Sequence, residues 1–372
     1  MADLVRSANE IQVVAAEELS NDVLAKRERN DLASRGWLIV HPNFPMGFRH
    51  FFDPHMKTER TIYLPVPPTN LPVPLTIFQR PVCHWGESSA GKGEDATGYV
   101  LWKSAEALAE VVASWGQRQQ RQGTPAGTWL QGVGGSGNDN GKRRRPVAVE
   151  LGCGACAVPA MAAALCGYRS IGTDMQLMVE KARFNVRQNR EALLGSSSSS
   201  SSSSPFWPPN VLAPPFDVHI APLLWGEDQL SFEVRCLMNN RGGSRSSRRS
   251  SGGGDDGGDD DDGGDDDGGA SLVLGADLLY ALPGKPILFE ELAKTVDLLL
   301  SRTDADAVAL FAYERRSGQE RRFFDEVLPR RGFECHDTTR HCSGVAARWS
   351  DPALTQNFVH IYEVRRKRKK VP

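Results

Sequence analysis

Long apolar runs are missing from this sequence, and so is an apolar signal region behind Met1. No stretch approaches the ~18 apolar residues of a membrane-crossing helix, so neither a transmembrane nor a secreted protein is expected. Cysteine is scarce, seven in 372 residues, which fits a reduced compartment, the cytosol or the nucleus, rather than a disulfide scaffold. Cys153 and Cys156 form a CxxC, but no second ligand pair stands at zinc spacing, so no metal site is expected. Both lie in a glycine turn with its own explanation, which disfavours thiol redox chemistry. An excess of charge is lacking too: 44 Lys and Arg face 46 Asp and Glu, a formal net charge of −2. The nine Asp of a Gly/Asp tract are nearly offset by the basic run Arg365 to Lys370, leaving the body close to neutral. That argues against the broad basic surface that dominates nucleic-acid affinity.

What is present includes several low-complexity segments that cannot bury apolar surface. Ser196 to Ser204 is unbroken serine, Gly242 to Ser251 is Gly, Ser and Arg, and Gly252 to Gly269 holds only Gly and Asp. The last lacks the alternating apolar residues and the glutamate of calcium loops, and reads as a solvated acidic linker. Subtracting these leaves one mid-sized domain over residues 61–364, interrupted at about 116–145, 194–210 and 239–270. Residues 1–60 read as an appendage with one apolar run at Trp37 to Val40, and 365–372 as a basic tail, either an import signal or the solvated end of a last strand.

Within the domain, Thr61 to Leu64 and Leu75 to Phe78 read as short strands separated by prolines. Leu101, Ala105, Leu108 and Val112 recur at helical spacing over Val100 to Trp115. A buried strand Pro146 to Leu151 then runs into a glycine turn and a helix from Val158 to Leu165, with Pro159 tolerated in its first turn. Ser170 to Asp174 is a second strand and Leu177 to Asn189 a helix, with Leu177, Lys181, Phe184 and Gln188 along one row. Further strands are expected at Asp217 to Ala221, Ser271 to Ala276 and Ala307 to Tyr313, with helices at Pro286 to Ser301 and Gln319 to Leu328. Gly332-Phe333 and Phe358 to Val364 suit a closing antiparallel hairpin. Alternating strands and helices mean a doubly wound α/β sheet.

The strongest local signal is Glu150-Leu-Gly-Cys-Gly-Ala-Cys-Ala157 between a strand and a helix, with Asp174 closing the next strand. Gly152 and Gly154 let a ligand approach the backbone, and the helix N-terminus offers free N–H groups. An acid at the end of the second strand is placed to bind the hydroxyls of a ribose, which points to a nucleoside cofactor. Gly152, Gly154 and Ala157 also satisfy a loosened dinucleotide fingerprint. Against that reading, Glu150 would repel a pyrophosphate, whereas it suits the amine of a methionyl group.

The chain resembles the seven-β-strand protein-lysine methyltransferases of methyltransferase family sixteen from about Leu75 to Val364. The resemblance rests on Gly98-Tyr-Val-Leu-Trp-Lys-Ser-Ala105, the glutamate-glycine loop, Leu224-Trp-Gly226, Gly275-Ala-Asp-Leu-Leu-Tyr280, Tyr313-Glu-Arg-Arg316 and His360-Ile-Tyr362. It implies a seven-stranded Rossmann-like sheet with a C-terminal antiparallel hairpin, and S-adenosylmethionine as cofactor. Trp102, Glu150, Gly152, Cys153, Gly154, Asp174, Trp225 and Ala276 would hold that cofactor, and Asp277 and Tyr280 would face the methyl group. The implied partner is a protein bearing the target lysine, bound by a monomer, with no membrane and no nucleic acid involved. The pattern departs from the family at Cys156, where a third glycine is usual, and at Pro159, where a second small residue often sits. The alternatives are a small-molecule or protein-histidine methyltransferase with the same pocket, and a binding module without activity. Asp277 and Tyr280 argue against the latter. His219 and His360 read as packing residues.

Overall fold

Four of the five central strands are rich in Val, Leu, Ile and Ala, and their alternate residues face opposite layers, as strands buried on both sides require. In the computed structural model, Val308, Leu310 and Ala312 point into one apolar layer, while Ala309, Phe311 and Tyr313 point into the other. The structure describes residues 59–66, 71–79, 100–121, 145–194, 216–239, 269–279, 288–315, 319–342 and 359–368, and the backbone of 12–15 and 37–40. Tyr280, Arg316 and the serine and Gly/Ser/Arg tracts lie outside the described residues, as does the Gly/Asp tract apart from Gly269.

Strands β1 (Gln12–Ala15) and β2 (Trp37–Val40) form a parallel pair, and β3 (Glu59–Val66) and β4 (Leu71–Phe78) an antiparallel hairpin apart from the main sheet. The body then alternates: α1 (Lys103–Arg121), β5 (Val147–Leu151), α2 (Val158–Leu165), β6 (Arg169–Asp174), α3 (Gln176–Leu194), β7 (Val218–Pro222), α4 (Phe232–Asn239) and β8 (Leu272–Ala276). It continues with α5 (Phe289–Leu299) and β9 (Val308–Glu314), then α6 (Glu320–Arg322) and α7 (Leu328–Arg330) flanking a π-helical turn (Phe323–Val327). Strands β10 (Phe333–Asp337) and β11 (Val359–Arg366) close the chain.

The seven-stranded sheet has the order β10-β11-β9-β8-β5-β6-β7. Strands β5 to β9 are parallel, and β11 pairs antiparallel with both β9 and β10. The doubly wound, Rossmann-like sheet with a terminal antiparallel hairpin that the sequence implies is the observed fold. Strand order reverses at β5, whose neighbours are β6 and β8, and open α/β sheets bind ligands at the carboxyl ends of the strands flanking such a switch point. Helices α1, α2 and α3 cover one face, and α4, α5 and the π turn the other.

Several details differ from the sequence reading. Helix α1 continues to Arg121, into the stretch read as linker. Helix α4 was not foreseen, because only Val234 and Met238 of it are buried. The row Leu177, Lys181, Phe184 and Gln188 of α3 faces outward; the buried row is Met178, Val179, Ala182, Asn185, Val186, Asn189 and Leu193. The helix expected from Gln319 widens into a π turn where adjacent Phe323 and Phe324 are both buried. Phe311 meets both rings edge-on at centroid distances of 5.6 and 5.8 Å, and Tyr362 stacks on Phe324 at 3.9 Å. A regular helix turns consecutive side chains about 100° apart, and the wider turn lets both rings reach the sheet. Among the described residues no helix is long and apolar enough to cross a membrane.

Candidate cofactor and acceptor site

The loop after β5 is shaped by backbone that few side chains tolerate. Gly152 has φ 57° and Gly154 φ 55°, and Ala157 also adopts the left-handed region at φ 48°. The turn is pinned from the neighbouring strand: the Cys153 N–H donates to the Thr173 carbonyl at 2.9 Å, and the Gly154 N–H to Asp174 Oδ2 at 2.7 Å. Within the loop the Ala157 N–H donates to the Cys153 carbonyl at 2.9 Å. Asp174 Oδ1 takes the Met175 N–H at 2.7 Å. The Asp174 carboxylate thus ties the glycine turn to the start of α3 through both of its oxygens.

Helix α2 begins without a side-chain cap at Ala157, and all eight of its residues are buried. One of its free donors is met from the sheet: Glu150 Oε2 accepts the Ala160 N–H at 2.8 Å. Burial, the dominant cause, pushes the Glu150 carboxyl up to about 8; the negative charge of Asp174 adds to this and the Ala160 N–H opposes it. A carboxyl raised this far no longer presents the full charge expected to repel a pyrophosphate, and its observed contact is with the helix start. Thr173 Oγ1 donates to the Glu150 carbonyl at 2.7 Å, a further stitch between β5 and β6. The Cys153 thiol donates to the Gly154 carbonyl at 3.3 Å and lies in the interior beside Gly172. Burial, reinforced by Glu150 and Asp174, holds that thiol well above its usual range. Cys153 thus shapes the loop through its backbone.

Trp225 follows β7 in a turn fastened to α5. The Gly226 N–H donates to Thr295 Oγ1 at 3.1 Å, and Lys294 Nζ donates to the Gly226 carbonyl at 2.9 Å. This brings the indole over Gly152, where an added Cβ would lie 3.3 Å from Trp225 Cζ2 and 2.5 Å from Leu278 Cδ2. Ala276 ends β8 opposite Ala312. Trp102 heads α1, its carbonyl accepting the Ala105 and Glu106 N–H groups at 3.0 and 3.2 Å.

Asp277 sits at φ 56°, a conformation unusual for any residue but glycine and tolerated by Asp and Asn. Its N–H donates to the Ala312 carbonyl at 2.8 Å, and its Oδ1 accepts the Glu314 N–H at 3.2 Å. The buried carboxylate is thereby held at the carboxyl ends of β8 and β9. Gly152, Gly154, Asp174, Trp225, Ala276 and Asp277 thus gather at one end of the parallel strands, the end where open α/β sheets bind ligands. The sequence reading missed Leu278 and Thr173, which wall and fasten the crevice, and Asn185, which donates to the Ala155 carbonyl at 2.8 Å. Two asparagines four apart on a helix were the available signal for the last. His360 stacks on Tyr313 at a centroid distance of 5.3 Å, and His219 bonds Asp217 at 2.9 Å. No group of side chains suited to hold a metal ion occurs among the described residues.

No known family profile and no characterised protein matches the chain by sequence. Among solved structures it is similar to a ribosomal protein L11 methylase from Lactobacillus delbrueckii subsp. bulgaricus, at 13% identity over 61% of this chain and 73% of that one, with a TM-score of 0.30. A TehB-like SAM-dependent methyltransferase from Corynebacterium glutamicum shares 12% identity over 70% of this chain and 100% of its own, with a TM-score of 0.31. The mitomycin 7-O-methyltransferase MmcR gives 12% identity over 71% of this chain and 58% of its own, at 0.31. Likeness this distant says nothing about substrate.

Proposed function

We propose that this protein is an S-adenosylmethionine-dependent N-methyltransferase that methylates lysine on a protein substrate. The observation that carries the cofactor reading is the Gly154 N–H bonded to Asp174 at 2.7 Å, which sets the glycine loop beside a strand-end carboxylate. Gly152 and Gly154 would admit the cofactor to the backbone, Asp174 would hold its ribose, and Trp225 and Leu278 would wall its pocket. A neutral Glu150 accepts a hydrogen bond from an amine directly or through water, and its ionisation would be favoured by an ammonium placed beside it.

The bound cofactor supplies an electrophilic methyl group on a cationic sulfonium. The acceptor must then be held in line with that methyl and must be neutral, so positioning supplies much of the rate. A free lysine with a pKa of ~10.4 costs about 4.6 kcal/mol to deprotonate at pH 7. Partial burial beside a cation lowers this cost, since desolvation and like charge both disfavour the ammonium. Asp277, fixed by the Glu314 N–H, orients the incoming amine as hydrogen-bond acceptor, with Tyr280 as second partner and water removing the proton. Lysine as acceptor is supported by the Asp277-Leu-Leu-Tyr280 motif of the family that the sequence resembles.

The test is transfer of an isotopically labelled methyl group to proteins of a cell extract, followed by mass spectrometry of the labelled peptides. Label on lysine that is lost with Asp277→Asn is the expected result. Label on histidine or on small molecules alone would move the acceptor to another class, and no label at all would favour a binding module.

A further inference from the structure

Helix α3 carries Asn185 and Asn189 one turn apart, both buried, with exposures of 1% and 2%. Each meets one residue of β4 as a second strand would. Phe78 donates its N–H to Asn185 Oδ1 at 2.7 Å, and Asn185 Nδ2 donates to the Phe78 carbonyl at 2.9 Å. Thr76 makes the same pair with Asn189, at 2.8 and 2.7 Å. The backbone fixes which way each amide points, because the carbonyl oxygen must face the N–H. The outer edge of the β3–β4 hairpin is thereby paired rather than open.

The two amides differ in their remaining hydrogen. Asn189 gives it to the Asn185 carbonyl of its own helix at 2.9 Å, a contact that stays local. Asn185 gives it to the Ala155 carbonyl at 2.8 Å, in the middle of the glycine loop. One buried side chain therefore joins the hairpin, α3 and the loop between Gly154 and Ala157.

We infer that Asn185 is a positioning residue that holds the glycine loop in its binding conformation by tying Ala155 to the edge of β4. For its effect on affinity this rests on the cofactor reading above. Loop backbone at left-handed φ keeps its shape only where neighbours hold it, and a loop that must be ordered on binding weakens binding. The hairpin's seat on α3 is thus coupled to the site, through a residue that need not touch the ligand.

Asn189 provides the control, since it clamps the hairpin equally and does not reach the loop. The isosteric changes Asn185→Asp and Asn189→Asp each abolish donation to β4, but only the first also releases Ala155. In Asn185→Asp, amide hydrogen exchange over residues 154–157 should quicken about tenfold, and S-adenosylmethionine should bind about tenfold more weakly by calorimetry. Its KM should rise while kcat stays within about twofold. Asn189→Asp should leave loop exchange and affinity within about twofold of the parent. Equal effects from both variants, or no effect of the first, overturn the inference. If the parent itself binds no S-adenosylmethionine, the functional reading fails, and the exchange comparison alone decides the role of Asn185. Should the aspartates not fold, Asn185→Ser and Asn189→Ser give the same comparison.

Discussion

Gly154 donates its N–H to Asp174 Oδ2 at 2.7 Å, so the turn behind β5 is held by the last residue of β6. The same carboxylate takes the Met175 N–H through its other oxygen at 2.7 Å. Hydrogen bonds to an ionised acceptor contribute more than neutral ones. Asp174→Ala orphans both donors, and stability should fall by about 1–3 kcal/mol, read from urea unfolding. An unchanged midpoint would mean that water replaces the carboxylate without loss.

Asp277 combines a left-handed backbone with a bond to the Glu314 N–H at 3.2 Å. An alanine there loses both the local tolerance of φ 56° and the acceptor, so its effects on folding and chemistry would be mixed. Asn keeps both, while it removes the charge and turns the second oxygen from an acceptor into a donor. Asp277→Asn is expected to retain its fold and its S-adenosylmethionine affinity while turnover drops at least about a hundredfold. Normal turnover in that variant would take the carboxylate out of the mechanism.

The buried Glu150 gives stability a pH dependence. Its carboxyl is raised from 4.5 to about 8, so the folded state binds an extra proton between those values. Stability from this group is complete below its unfolded pKa and is lost as pH rises through about 8. Glu106, held up to about 7 mainly by burial and countered by Arg60, acts with the same sign. Glu150→Gln should flatten the decline and make the variant the more stable protein above pH 8, by at most a few kcal/mol. Thermal melts from pH 5 to pH 9 check this, and parallel curves for the two proteins would refute it.

Gly152 is constrained in two ways. Its φ of 57° strains any side chain, and an added Cβ would lie 2.5 Å from Leu278 Cδ2. Gly152→Ala should cost about 1–3 kcal/mol in urea unfolding. Measured against Leu278→Ala alone, Gly152→Ala should then cost only the backbone part, about 1 kcal/mol. Failure of the second change to recover anything would show that Leu278 already gives way.

The parallel strands were legible because a buried strand is a short apolar run between turn residues, as in Val147 to Leu151 before Gly152. The glycine loop and Asp174 were legible because their chemistry is local to one strand-turn-helix unit. Contacts made across distant segments were not. The seat of Trp225 depends on Thr295 and Lys294 far along the chain, and the clamp of Asn185 on Phe78 and Ala155 joins three segments. Helix α4 escaped notice because two buried residues make too narrow an apolar stripe. The π turn escaped because paired phenylalanines do not announce which helical pitch buries both.

The most direct test of the central claim is calorimetric titration of the purified protein with S-adenosylmethionine and, separately, with NAD, using Asp174→Ala as control. Saturable binding of S-adenosylmethionine that the variant loses, with no binding of NAD, is the predicted result. Binding of NAD in its place, or of neither ligand, would contradict the account.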